Sequence, residues 1–306
     1  MPRELVILSG KGGTGKTTVA AALAGLSAPV VLADADVDAA NLYLLLDPEI
    51  RRREPFFGGY KARIRPGHCT ACGKCEELCR FDAVFFDGPG NGRVPRTFRI
   101  EETRCEGCGV CVHFCPEEAI DFRRENTGES YVSSTRFGPM AHARLIPGSE
   151  NSGKLVTHVR EKARELAQAE RLDWIYIDGP PGIGCPAIAA VTGADAALVV
   201  AEPTVSGQHD MQRIAALIDH FQIPCFLCVN KWDLNPALAD ALEQEARSFG
   251  MRPSGRVRYD AAVVEAMMRK QTVPERARAG AGEDLRRLHS ALRQALAEIA
   301  NPQTQT

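Results

Sequence analysis

Residues 9–18 read Ser9-Gly10-Lys11-Gly12-Gly13-Thr14-Gly15-Lys16-Thr17-Thr18, and this run fixes the local geometry on both sides of it. The apolar stretch Leu5-Val6-Ile7-Leu8 precedes it as a strand, and the Ala-rich stretch Val19 to Leu26 follows as a helix. Strand, glycine-rich turn and helix make the setting of a phosphate-binding loop, and Gly10, Gly15, Lys16 and Thr17 satisfy G-x-x-x-x-G-K-[ST]. Small residues at Gly12, Gly13, Thr14 and Gly15 let backbone N–H groups wrap phosphate oxygens. The helix N-terminus at Lys16-Thr17-Thr18 adds the positive end of its dipole. Lys16 is expected to reach the β- and γ-phosphates and the Thr17 hydroxyl to ligate Mg²⁺.

Further buried-type strands follow in the pattern of a doubly wound sheet. Pro29 to Ala33 ends in Asp34-Ala35-Asp36-Val37-Asp38, three acids where open α/β sheets bind ligands. Trp174 to Asp178 ends in an acid and runs into Gly179-Pro180-Pro181-Gly182. Ala196 to Ala201 and Pro224 to Val229 are two more, the second running into Asn230-Lys231-Trp232-Asp233. The loop also carries a second lysine, Lys11, so that it reads K-G-G-x-G-K-T. With these acids it resembles the deviant phosphate loop of the MinD/ParA/Mrp group of ATPases.

The resemblance implies a catalytic set of Lys11, Lys16, Asp36 and Asp178. In that group the extra lysine reaches the nucleotide of a partner subunit, so Lys11 implies an ATP-dependent homodimer. Asp36 matches the acid that positions the attacking water, and Asp34 and Asp178 join Thr17 near Mg²⁺. Gly182 would let the backbone approach the γ-phosphate, and Asn230 would lie against adenine. N-K-x-D is also the guanine-reading element of GTPases, so GTP stays as the alternative to ATP.

The eleven cysteines carry the second signal. Net charge is −2 and the pI about 6.4, which argues against a nucleic-acid or membrane partner. No apolar run approaches the roughly 20 residues of a membrane span, and the N-terminal strand is too short for a signal-peptide core. A cytoplasmic, reducing location is expected, where cysteines read as metal ligands before disulfides. Cys69, Cys72, Cys75 and Cys79 give C-x₂-C-x₂-C-x₃-C, and Cys105, Cys108, Cys111 and Cys115 repeat it 36 residues later. Three thiolates in a tight loop hold three irons of a cubane, while the fourth, one helical turn on, serves the other cluster. One cluster would use Cys69, Cys72, Cys75 and Cys115, and the other Cys105, Cys108, Cys111 and Cys79. Two structural zinc sites are the competing reading of C-x₂-C. Pro116 follows the second run as in bacterial ferredoxins, whereas Arg80 follows the first.

Residues 61–125 therefore resemble a two-cluster [4Fe–4S] ferredoxin, an α+β guest in a discontinuous ATPase formed by residues 1–60 and 126–306. The polar stretch Glu49 to Glu54 reads as the boundary before the insert, and Ala143 to Ile146 as the return to the sheet. The loop Gly148 to Leu155 fits G-x₄-G-K, but Leu155 replaces the metal-binding hydroxyl, so it reads as a cap to a helix from Val156 to Ala169. Cys185 reads as a small packed residue, and Cys225 and Cys228 as core positions of a strand rather than a bridging C-x-x-C. Asp284 to Ile299 is a helix with Leu285, Leu288, Leu292 and Ile299 on a stripe narrow enough for core packing, ahead of a polar tail from Asn301. The expected function is ATP binding and hydrolysis coupled to electron transfer through two clusters, with redox partner proteins. Two alternatives stand beside it, an iron–sulfur carrier of the Mrp kind and a positioning switch of the MinD/ParA kind.

Overall fold

The computed structural model describes residues 2–149 and 151–300; Glu150 and the tail from Asn301, which the reading above used, lie outside them. The chain forms two units. The first comprises Met1–Glu54, Glu129–Ile146 and Ser152–Thr306, and the second Pro55–Gly128 and Pro147–Asn151.

In chain order the elements are β1 (Arg3–Ser9), α1 (Lys16–Ser27), β2 (Val31–Asp34), α2 (Leu42–Leu46) and β3 (Glu49–Phe56). Then come β4 (Gly59–Ile64), α3 (Lys74–Glu77), β5 (Val84–Gly88), β6 (Thr97–Ile100), α4 (Val110–His113) and β7 (Ile120–Glu125). The chain continues through β8 (Gly128–Thr135), β9 (Gly138–Leu145), α5 (Ser152–Glu170), β10 (Trp174–Pro181), α6 (Cys185–Val191) and β11 (Ala196–Ala201). It closes with α7 (Val205–His220), β12 (Cys225–Asn230), α8 (Pro236–Ser248), β13 (Arg252–Val257), α9 (Ala262–Met268), α10 (Val273–Arg276) and α11 (Ala281–Ala300).

The first unit is built on a nine-stranded sheet of order β13-β12-β11-β1-β10-β2-β9-β8-β3. From β13 to β9 every neighbouring pair is parallel. The central strands are covered on both faces, which is why they read as unbroken apolar runs: Leu5, Val6, Ile7 and Leu8 are all fully buried. Leu5, Ile7, Leu32 and Leu198 share a core with Ala20 to Ala24 of α1 and with Leu285, Leu288 and Leu292 of α11. Each buried leucine of this core contributes about 1.5–3 kcal/mol. Ile299 departs from the expected stripe: it is 40% exposed, one turn beyond the part of α11 that the sheet covers.

Two expectations need correction. Glu49 to Glu54 does end at the boundary, since the first unit's opening segment stops at Glu54, but it is a strand and no linker: it forms most of β3, the edge strand of the sheet. Its side chains are mostly exposed, and an edge strand rich in charge is protected against pairing with other chains. The return to the sheet begins not at Ala143 but at Gly128, with β8 and β9 joined through Arg136-Phe137.

In the second unit the 36-residue repeat of the cysteines extends to the backbone. β4 and β6 are equivalent, as are α3 and α4, and β5 and β7. Left-handed residues recur in step: Ala71 and Gly107 (φ 58° and 61°), Gly73 and Gly109 (82° and 76°), Asp82 and Glu118 (48° and 48°). The pairing crosses the repeats, β4 with β7 and β5 with β6, both antiparallel. Ala62, Ile64, Val84, Phe98, Ile100 and Ile120 fill the space between them together with Cys69 and Cys105.

Candidate functional site

Parallel register brings the expected acids together. Ile7 of β1 pairs with Asp178 of β10, and Asp178 with Asp34 of β2, so the two carboxylates lie side by side on adjacent strands at one level. Lys16, the first residue of α1, enters the same space. Its Nζ donates to Asp178 Oδ1 at 2.7 Å and lies 3.6 Å from Asp36 Oδ2. Asp34 is fully buried and accepts the backbone N–H groups of Asp36 (3.3 Å) and Leu42 (3.1 Å), which fixes the turn leading to α2.

Three carboxylates share one ammonium here. Burial, then the neighbouring Asp178, pushes the Asp34 carboxyl up to about 8, with Lys16 pulling the other way. Burial also raises Asp36, again opposed by Lys16. Burial works to lower Lys16, but Asp178 and Asp36 outweigh it, so its ammonium is held above the ordinary value. Among the described residues, two buried side-chain atoms have no hydrogen-bond partner, Asp178 Oδ2 and Thr14 Oγ1. A buried carboxylate oxygen without a donor is costly unless a cation meets it. The donor set of carboxylates with the Thr17 hydroxyl suits a hard divalent cation such as Mg²⁺.

These groups open into a cleft of about 640 Å³, lined by Gly12 to Val19, Asp36, Asn41, Leu44, Asn230, Tyr259, Val263, Val264 and Met267 among others. Gly15 has φ 88°, and a Cβ there would lie 2.3 Å from Asn230 Nδ2. That amide donates to the Thr14 carbonyl at 2.7 Å, so Asn230 braces the loop as well as lining the cleft. A Cβ on Gly10 would meet Asp210 of α7 at 2.0 Å. Thr17 and Thr18 line the cleft as expected.

Three expected residues are placed differently. The Gly182 N–H, expected at the γ-phosphate, donates to the Ser9 carbonyl at 2.9 Å. Lys11 turns to the start of α7, donating to Ser206 Oγ at 3.2 Å with Glu202 Oε2 3.6 Å away. Asp233 accepts the backbone N–H of Tyr259 at 2.7 Å, so its carboxylate is engaged in holding the loop after β13. Cys228 is buried in the core, and burial pushes both it and Cys225 up to about 12. Cys185 is exposed rather than packed, at the first residue of α6.

In the second unit the eight remaining cysteines divide between two cavities. One is lined by Cys69, Cys72, Cys75 and Cys115, the other by Cys105, Cys108, Cys111 and Cys79. Each draws three cysteines from one run and the fourth from the other. Backbone N–H groups point at sulfur: Ala71 to Cys69 Sγ (3.4 Å), Ala83 to Cys79 Sγ (3.5 Å) and Ala119 to Cys115 Sγ (3.3 Å). Burial and then Cys69 push the Cys75 thiol up to about 12; burial and then Cys105 push Cys111 up to about 11. Among the described residues no three His, Cys, Asp or Glu side chains are close enough to share one metal ion. Tetrahedral zinc with Zn–S bonds of about 2.3 Å would bring its sulfurs to within about 4 Å of one another. Four cysteines line each cavity, with backbone amide donors at three of the eight sulfurs, a donor set of the kind that iron–sulfur clusters take.

The sequence profile of the CobQ/CobB/MinD/ParA nucleotide binding domain (CbiA) matches residues 5–273. The chain belongs to this family. An uncharacterised protein of Methanocaldococcus jannaschii is 34% identical over 235 residues, 76% of this chain and 79% of its own. The septum site-determining protein MinD of Bacillus subtilis is 26% identical over 226 residues, 72% of this chain and 60% of its own length. In fold, the chain is similar to MinD of Pyrococcus horikoshii, solved with Mg-ADP, with a TM-score of 0.57, 16% identity and full coverage of both chains. MinD of Pyrococcus furiosus gives the same TM-score at 17% identity, covering 96% of this chain and all of its own.

Parts of this MinD/ParA site escaped the sequence reading. Tyr259, Val263, Val264 and Met267 carry no motif and reach the cleft only because β13 lies beside β12. Glu202 was legible in principle. It follows β11 directly, the position at a strand's C-terminal end that singled out Asp34 and Asp178.

Proposed function

We propose that this chain is an ATP-hydrolysing, ATP-dimerised switch whose second unit holds two [4Fe–4S] clusters, so that nucleotide state is coupled to electron transfer. The observation that carries this reading is the division of eight cysteines into two cavities of three plus one. The clusters, when bound, would supply one-electron transfer. Cys69, Cys72, Cys75 and Cys115 would hold one and Cys105, Cys108, Cys111 and Cys79 the other.

The phosphate loop Gly10 to Thr18 would receive ATP, with Lys16 leaving Asp178 for the β- and γ-phosphates. Thr17, Asp34 and Asp178 would hold Mg²⁺, directly or through water, which supplies charge neutralisation. Asp36, half-freed when Lys16 moves, would orient the attacking water. Gly182 would release Ser9 to meet the γ-phosphate, and Lys11 would cross to a second copy's nucleotide. Asn230 stands at the cleft for the base. The Asp233 Oδ1 that guanine pairing would use already accepts the Tyr259 N–H, which favours ATP.

A second reading, a MinD-like positioning switch with the clusters as redox sensors, draws support from the match to septum site-determining MinD proteins. Anaerobic purification followed by iron, sulfide and zinc analysis tests the cluster reading. About eight iron and eight sulfide per chain are expected for two cubanes, and stoichiometric zinc without sulfide would refute it. Anaerobic redox titration with ADP and with a non-hydrolysable ATP analogue then separates the two readings. A shift in potential between nucleotides supports coupled transfer, and no shift together with partner-dependent localisation supports the positioning switch.

A further inference from the structure

The two cysteine cavities occupy equivalent places in the 36-residue repeat, so a position in one has its counterpart in the other. The backbones agree: Gly73 and Gly109, ahead of α3 and α4, have φ of 82° and 76°. The side chains do not. The cavity that contains Cys69 is also lined by Thr70, Lys74 and Glu117. At the same three places the cavity that contains Cys105 has Glu106, Val110 and Phe81. The first trio is formally neutral and the second carries one negative charge. Among the described residues, Lys74 is the one cation that lines either cavity. Phe81 and Val110 are 43% and 37% exposed, so the second cavity also has an apolar mouth.

Backbone donors lean the same way. Of the three amides that point at sulfur, Ala71 (to Cys69) and Ala119 (to Cys115) serve the first cavity and Ala83 (to Cys79) the second. Reduction of a cluster adds one negative charge. A nearby ammonium and amide donors to sulfur favour that charge, whereas a carboxylate and an apolar, less hydrated mouth oppose it. Every difference between the two cavities therefore acts in one direction.

We infer that the two cavities are graded, so that the Cys69 cavity holds the first electron, and that Lys74 sets this order. The inference rests on the cluster reading proposed above. The electron comes from a one-electron reductant. Where it arrives by way of the Cys105 cavity, the group held there is oxidised as the group in the Cys69 cavity is reduced, and no bond or proton changes. Transfer within the unit then runs from Cys105 towards Cys69. Lys74 is exposed and acts through its charge alone.

The test is anaerobic dithionite titration of the whole protein followed by EPR, with iron and sulfide counted in every variant. The wild type should give two separate one-electron waves. An exposed charge of this kind is worth about fivefold in an equilibrium, or about 40 mV at 59 mV per tenfold. Lys74→Gln should lower the upper wave by about that much and leave the lower one nearly in place. Val110→Lys should raise the lower wave by a similar amount, so that the two changes together draw the waves towards each other. Lys74→Arg should keep the wild-type values, and the Lys74→Gln shift should shrink as added salt screens the charge.

Coincident waves in a fully loaded wild type would overturn the grading and leave the cluster reading intact. So would a Lys74→Gln protein that shifts the lower wave or neither. Should Lys74→Gln fail to take up iron, Val110→Lys decides the order, since a raised upper wave refutes it. A wild type without iron and sulfide would overturn the cluster reading, and the grading with it.

Discussion

Lys16 is expected to matter to the fold before any nucleotide arrives. Its ammonium pairs with Asp178 at 2.7 Å, and the Asp178 side chain has no solvent exposure. The second Asp178 oxygen already lacks a partner. Replacing Lys16 by Met keeps the length of the side chain but leaves Asp178 with no cation and no donor on either oxygen, beside Asp36. Breaking a buried pair from one side costs about 3–5 kcal/mol. Replacing both partners by apolar groups of similar volume is often neutral. Lys16→Met should therefore lose about 3–5 kcal/mol in urea unfolding of the nucleotide-free protein, and Lys16→Met with Asp178→Leu should recover most of that loss. The double-mutant cycle then gives a coupling at least as large as the recovered loss, about 3 kcal/mol or more, between two residues 162 positions apart. A Lys16→Met protein within about 0.5 kcal/mol of the wild type, or strictly additive losses, would show that the pair is not held in the free protein. The picture of Lys16 exchanging Asp178 for phosphate would fall with it.

Two further outcomes follow from individual contacts. Burial, then Arg144, holds His142 down at about 4, against an ordinary 6.5, so the folded state keeps it neutral. That stability is fully present above pH 6.5 and is lost as pH falls from 6.5 towards 4. Over that window the wild type should lose about 3 kcal/mol more than His142→Gln in chemical denaturation, and parallel curves would refute the assignment. Gly15→Ala forces a left-handed alanine, at about 1–2 kcal/mol, and evicts the Asn230 amide from Thr14, at about 1 kcal/mol. Gly12→Ala meets open space and should stay within about 0.5 kcal/mol. Equal melting of the two variants would count against the bracing role of Asn230.

What the sequence disclosed follows from how each strand is covered. β1, β2, β10, β11 and β12 are buried on both faces and reveal themselves as apolar runs; the acids at their ends then fall where the sheet binds ligands. β3, with Arg51, Arg52 and Arg53 in its middle, has mostly exposed side chains and reads as a linker. β13, Arg252 to Val257, pairs on one side only and carries Pro253 and Gly255, so neither its pattern nor its composition marks it. The cleft wall after it was hidden for that reason. Lys11 was legible as a lysine out of place, but its tether was not. A pair between residues 11 and 202 is created by strand order, which places β11 beside β1. The same order explains Asp233: its sequence resembles a base reader, and the loop after β13 takes up its carboxylate.

The cysteine cavities show the same dependence on strand order at closer range. Spacing alone says that the fourth cysteine of each run points away from the first three; it does not say what it meets. In the second unit β5, which follows Cys79, pairs with β6, which precedes Cys105, with Val84 opposite Ile100. β7, which follows Cys115, pairs with β4, which precedes Cys69, with Ile120 opposite Ile64. Each ladder therefore carries the fourth cysteine of one run to the mouth of the other. The Ala83 and Ala119 amides that follow these cysteines point back at their sulfurs. Neither half of the repeat closes a cavity by itself, so the two ladders and the two cysteine sets must form together. A one-residue slip in either ladder would turn every side chain of that strand to the opposite face. The buried Val84 or Ile120 would then leave the space beside the cavities, and the fourth thiol would leave its cavity. A cluster bound there would add its binding free energy to the unit's stability, and would do so only in the register that the apolar residues already select.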